Sequence, residues 1–374
     1  MKQKQTIGFD KDEEKDLFKE MTDLTTPFDP TKIDIQAKQT TMDAFIKRLQ
    51  YEEIDLKPEF QRSIGLWSKK TQSRLIESLL IRFPLPAFYF DASDDNSWKV
   101  VDGVQRLSTI KAFVIDKTLE LDELEFLKEY NKSSYDDLPR ILQRRIDEAQ
   151  VTAYLIKRDT PPNVKYSLFH RINTGNTPLK PQEIRHALSQ GVHSGQASEY
   201  LKQITQESLF KKVVRVSNKR MSDRELVLRY IALKLEPYTN YRAPMITFLN
   251  NAMETLGKAP KVQLERLKKE LLEALELAKD IFGEDTFIKL SKQTNKKHKS
   301  INRALFEVIT VLFSNLSHAQ KDHLKQQKVS FLKDYIALFE KNDFHGSITY
   351  STGHKTSVTK RFETINSIIQ KHTK

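Results

Sequence analysis

Glycine is the residue this chain uses most sparingly, ten times in 374 positions, well under half of the ~7% usual in globular proteins. Sandwiches and barrels need many more glycines for their turns, so helices must dominate here. The length exceeds what one core usually serves and suits two domains. Hydrophobic residues at 38% are enough to bury sizeable cores. The longest apolar stretches, Ala87 to Phe90 and Ile309 to Phe313, fall far short of the ~20 residues of a membrane-spanning helix. The start, Met-Lys-Gln-Lys-Gln and then acidic, has neither the apolar stretch of a signal peptide nor the character of a transit peptide. Cytoplasmic residence without a membrane partner is the expectation.

The absence of cysteine removes disulfides, thiolate metal sites and thiol nucleophiles together. Chemistry is left to hydroxyls, carboxylates and water. The net charge of +12 favours polyanionic partners such as nucleic acid or nucleotides, and it is unevenly placed. Residues 1–30 hold five Lys against eight acids, whereas residues 291–374 hold fifteen Lys and Arg against six acids, among them Lys296, Lys297 and Lys299. That cluster is either a solvated loop or a set of DNA phosphate contacts.

Along the chain, Thr41 precedes a helical pattern through Phe45 and Leu49, Ile54 to Leu56 is extended, and Ser68 precedes a helix to Ile81 that Pro84 and Pro86 stop. Ala87 to Phe90, a polar turn over 91–97, and Trp98 to Val101 read as a β-hairpin, and Val151 to Lys157 as a third strand. Both Trp67 and Trp98 belong in the core. Pro161 and Pro181 start two further helices. Everything later reads helical, over roughly 195–210, 222–236, 244–256, 261–282, 301–315, 318–341 and 357–371. The domains expected are a charged arm over 1–28, a nucleotide-binding domain over 29–190 and a basic helical domain over 191–374.

Asp102 and Gly103 fall where the hairpin ends and a helix begins. Such a junction offers unpaired N–H groups, glycine admits a ligand to the backbone, and Gln105 and Arg106 add donors for phosphate oxygens. Asp102 either holds a metal or polarises water, or it simply caps the helix.

Six blocks then occur in one order: Phe60-Gln-Arg62, Gln72 to Ser78, Pro84-Leu-Pro86, Val101 to Leu107, Phe169 to Gly175, and Glu183-Ile-Arg185. They resemble the N-terminal domain of GmrSD-type restriction endonucleases, and Ile348 to Thr352 with Lys360-Arg-Phe362 is similar to a weaker motif of stand-alone members. The resemblance implies an α+β fold, with a ParB/sulfiredoxin-like domain carrying a small mixed sheet and a helical domain behind it. It also implies a site contacting nucleotide, whose usual Asp-Gly-Gln-Gln-Arg form is associated with NTP hydrolysis and restriction of modified phage DNA. Here the third position is Val104.

Carried over, the catalytic set is Asp102, Gln105 and Arg106. Asp102 would hold Mg²⁺ or another divalent cation, Gln61, Arg62, Gly103, Arg171 and Asn173 would bind nucleotide, and Glu183 with Arg185 would form a supporting pair. Asp322-His323 is followed by Leu-Lys and does not announce a His-Asn-His nuclease; no Walker loop is present. The expectation is an NTP-hydrolysing protein acting on or beside DNA in anti-phage defence, with nucleoside triphosphate, DNA and a partner defence protein as partners. A metal-dependent nuclease using the same Asp102 site and a non-catalytic, nucleotide-gated DNA-binding module are the alternatives.

Overall fold

The computed structural model describes residue 9 and residues 30–56, 67–172, 179–189, 195–290 and 300–373. It divides into two compact units, the first Pro27–Leu179 with His186–Gly191, the second Met1–Thr26, Lys180–Arg185 and Val192–Lys374. The architecture is α+β and rich in helix.

The first unit holds strands β1 (Ile35–Thr41), β2 (Ile54–Asp55), β3 (Phe88–Asp91), β4 (Trp98–Asp102) and β5 (Gln150–Ile156) in the order β1-β5-β3-β4-β2. The β3–β4 hairpin and the β1–β5 pair are antiparallel, while β3–β5 and β2–β4 are parallel, so the sheet is mixed. Its helices are α1 (Met42–Gln50), α2 (Lys69–Leu80), α3 (Val104–Ile110), α4 (Arg140–Asp147) and α5 (Pro162–Ile172). The sheet has one apolar face. Phe88, Phe90 and Val100 are fully buried there, and Phe45 of α1 meets both phenylalanine rings edge-on at 5.3 Å. Trp98 is buried in this core with the Arg48 guanidinium over its ring, and Trp67 packs half-buried against it.

Ser68 caps α2, its hydroxyl accepting from the Thr71 N–H. The same helix anchors a loop through two buried polar residues. Ser73 Oγ accepts from the Asp122 N–H, and the Glu77 carboxylate accepts from the N–H groups of Glu125, Phe126 and Leu127 at 3.0, 2.7 and 2.9 Å. Burial pushes the Glu77 carboxyl up, but these bonds and Arg74 outweigh it and hold it below its ordinary value. Glu77→Gln should therefore cost on the order of 2 kcal/mol, read by urea unfolding. Because the folded value is the lower one, the stability this group supplies is present above its unfolded pKa and lost as pH falls through the folded value. An unchanged urea midpoint at pH 7 would refute the anchor.

The second unit is helical: α6 (Pro181–Leu188, whose first residues belong to this unit), α7 (Gly195–Gln206), α8 (Ser208–Val213), α9 (Ser222–Leu235), α10 (Met245–Gly257), α11 (Lys261–Phe282), α12 (Arg303–Ser314), α13 (His318–Gln326), α14 (Lys328–Leu338), α15 (Asn342–Ser347) and α16 (Lys355–Lys371). Leu264, Leu267, Leu271 and Leu275 form the buried stripe of α11. Two of the expected helices are each divided, 195–210 at Glu207 and 318–341 at Gln327.

This unit buries charge. Glu307, fully enclosed, accepts from Arg229 at 3.1 Å and from Arg361, while Glu225 pairs with Arg229 at 3.2 Å and Arg303 at 3.4 Å. Arg361, also fully enclosed, donates to the carbonyls of Ser347 and Thr352. The C-terminal motif is thus a structural tie, since Arg361 fastens the 347–352 turn to α12.

Candidate functional site

Strand β4 delivers Asp102 to the end of the hairpin, and Gly103 turns the chain into α3. Its φ of +104° is one that residues with a Cβ rarely adopt, and an added Cβ would lie 2.5 Å from Phe88 Cδ1 and 3.2 Å from Arg106 Nη2. The position accepts only glycine. Gly103 is also the residue at the helix cap, so Asp102 is not the cap that local sequence allowed.

The Asp102 carboxylate turns instead to Arg106, with Oδ2 accepting from Nη2 at 2.8 Å. Arg106 is 8% exposed and lies 4.3 Å above the Phe88 ring. Its remaining bonds go to the Pro86 carbonyl and, at 3.0 Å, to that of Ala87. Burial lowers the Arg106 pKa and Asp102 opposes the shift. The guanidinium therefore works as a clamp that joins the entry of β3 to the exit of β4 and fixes one oxygen of Asp102. The Asp102 side chain is 41% exposed, and its Oδ1 makes no hydrogen bond among the described residues. Gln105 Oε1 is buried without a hydrogen-bond partner among them, an arrangement that native structures normally satisfy with water or ligand. Val104 packs in the hydrophobic core, an apolar side chain where the resembled motif would place an amide.

The structure thus brings Asp102, Gly103, Gln105 and Arg106 together. Arg171 is exposed in the last turn of α5, next to His170, which is buried and has its pKa lowered by burial and by Arg171. Gln61, Arg62, Asn173, Lys296, Lys297 and Lys299 lie outside the described residues. Glu183 and Arg185 find different partners. The former accepts from the Lys180 N–H at 2.6 Å and from Arg220, the latter donates to Asn250 at 2.8 Å and to Gln182, so the expected pair does not form, because residues two apart on a helix do not face each other.

Beside Asp102 on the polar face of the sheet stand residues that no sequence motif announces. One row of directly opposed residues crosses four strands: Ala37, Tyr154, Tyr89 and Asp102. Tyr89 and Tyr154 are half-buried and stacked, with ring centroids 4.9 Å apart and planes within 16°. Burial, Tyr154 and Asp102 raise the Tyr89 pKa. The next row runs Ile156, Asp91, Lys99 and Asp55, and Lys165 from α5 reaches it, 3.5 Å from Asp91 and 2.5 Å from Ser93 Oγ. The signal for the tyrosines was their alternation with buried neighbours, Phe88-Tyr89-Phe90 and Ala153-Tyr154-Leu155.

Residues 44–189 match the family model described as GmrSD restriction endonuclease, N-terminal domain. No curated protein matches the chain, and no solved structure does.

Proposed function

With residues 44–189 matching the model of the N-terminal domain of GmrSD restriction endonucleases, we propose that this protein binds and hydrolyses a nucleoside triphosphate at Asp102 and serves restriction-type defence against phage. The observation that carries the reading is the clamped carboxylate, with one oxygen of Asp102 fixed by Arg106 and, close by in sequence on α3, the buried Gln105 amide oxygen that has no partner among the described residues. Holding a carboxylate in place before reaction is how a protein positions an attacking water without reorganising during the step. Arg106 acts here through Asp102, and Gly103 keeps the turn free of a side chain.

The same residues suit a divalent cation of the kind nucleotides carry. Among the described residues no group of three or more His, Asp and Glu side chains is poised to hold a metal, and magnesium typically takes one or two protein carboxylates together with phosphate oxygens and water. Asp102 is that carboxylate. Such an ion supplies neutralisation of phosphate charge. Gln61, Arg62, Arg171 and Asn173 complete nucleotide binding in this reading, and the basic 291–374 stretch, with Lys296, Lys297 and Lys299, meets DNA phosphates. Among the described residues no helix is long and apolar enough to cross a membrane.

Incubation with each of the four NTPs and Mg²⁺, with and without plasmid, tests the proposal. Phosphate release is expected, with the plasmid left intact by the protein alone. Plasmid cleavage without nucleotide turnover would instead establish a nuclease, and nucleotide binding without either reaction a gated binding module.

A further inference from the structure

The stacked tyrosines hold no part of the core. The residues before and after each of them, Phe88 and Phe90, Ala153 and Leu155, are buried, so alternation along a strand sends Tyr89 and Tyr154 to the opposite, polar face. Their centroid separation of 4.9 Å equals the ~4.8 Å spacing of neighbouring strands. The stack consequently runs along the row, and its next place falls above Ala37, which is small and exposed on the edge strand β1. At the other end of the same row stands Asp102.

We propose that the nucleobase of a nucleotide bound at Asp102 extends this stack, lying on Tyr154 above Ala37, with the sugar and phosphates running back over Tyr89 towards the carboxylate. This deepens the Asp102 reading and rests on it. Three strand spacings, about 14 Å, separate Ala37 from Asp102, a span suited to an extended nucleoside triphosphate rather than a phosphomonoester. Every base has a π-face, so stacking tolerates different bases and supplies affinity more than choice among them. Choice must come from other contacts. The neighbouring Asp55–Lys99–Asp91 row and Lys165 balance each other's charge, which leaves the half-buried Tyr89–Tyr154 stack as an uncharged stretch beside Asp102.

Calorimetry with ATP, GTP, inorganic tripolyphosphate and a short oligothymidylate, all with Mg²⁺, tests this on the full chain. Tyr154→Ala should weaken ATP or GTP binding by about tenfold or more, Tyr154→Phe should restore it, and Ala37→Leu, on an exposed edge, should weaken it by filling the slot. Tripolyphosphate affinity should stay the same in all of them. The proposal is overturned if the two weakening variants bind NTP like wild type, if tripolyphosphate affinity falls equally while thermal melting is native, or if only oligothymidylate binding is lost. Wild type that binds tripolyphosphate no more weakly than NTP overturns the base seat and leaves the Asp102 reading intact. Wild type that binds neither overturns both.

Discussion

Glu307→Gln is expected to destabilise the helical unit by about 3–5 kcal/mol, the usual cost of removing one partner from a buried ion pair. Glu307 is fully enclosed and receives both Arg229 and Arg361, and Arg361 is itself fully enclosed. The substitution keeps the volume and leaves two desolvated guanidinium groups short of a negative charge. Urea unfolding at pH 7 measures it, and a loss below about 1 kcal/mol would show that the network is not the tie described. Replacing Glu307 and Arg361 together by Leu and Met should cost less than the single change, because one charge of each sign leaves and the net buried charge of the network stays as it was. The neighbouring Glu225 predicts the acid response. Burial alone would push its carboxyl up, but Arg303, Arg229 and Arg185 hold it down to about 2, against 4.5 ordinarily. With the folded value the lower one, its contribution is complete above about pH 4.5 and is lost as pH falls towards 2.

These buried ions mark the boundary of what the sequence discloses. Leu264, Leu267, Leu271 and Leu275 announce a helix because burial selects their spacing, and the hairpin announces itself through aromatic strands about a polar turn. Strand β1 does not. Ile35–Thr41 is largely exposed and lacks alternation of apolar residues, and it becomes a strand by pairing along its whole length with β5. Missing β1 also hides the row Ala37–Tyr154–Tyr89–Asp102, which exists only because the strands order themselves β1-β5-β3-β4-β2. The turn at Asp102 and Gly103 was legible from the change of period at that point. The direction of Arg106 was not, since nothing local distinguishes a guanidinium held by the Pro86 and Ala87 carbonyls from one reaching for a ligand. Glu183 and Arg185 failed as a pair for the complementary reason, that helix geometry separates them and long-range partners claim each.

The second large effect is chemical. Asp102→Asn retains shape and an acceptor for Arg106, so the clamp at the end of β4 should persist with the fold intact. What disappears is the charge that orients an attacking water and receives a cation. Turnover is therefore expected to fall at least about a hundredfold, while the base seat and the other phosphate contacts keep the nucleotide bound, a pattern that identifies a group acting in the transition state. A mere structural aspartate would not separate the two quantities.

Paired measurement of nucleotide affinity by calorimetry and of phosphate release under saturating nucleotide, on wild type and Asp102→Asn, is the direct test of an NTP-hydrolysing site at this turn. Turnover is expected from the wild type and, in the variant, affinity within a few-fold of it with phosphate release all but abolished. Phosphate release by the variant at the wild-type rate would contradict an NTP-hydrolysing site at this turn.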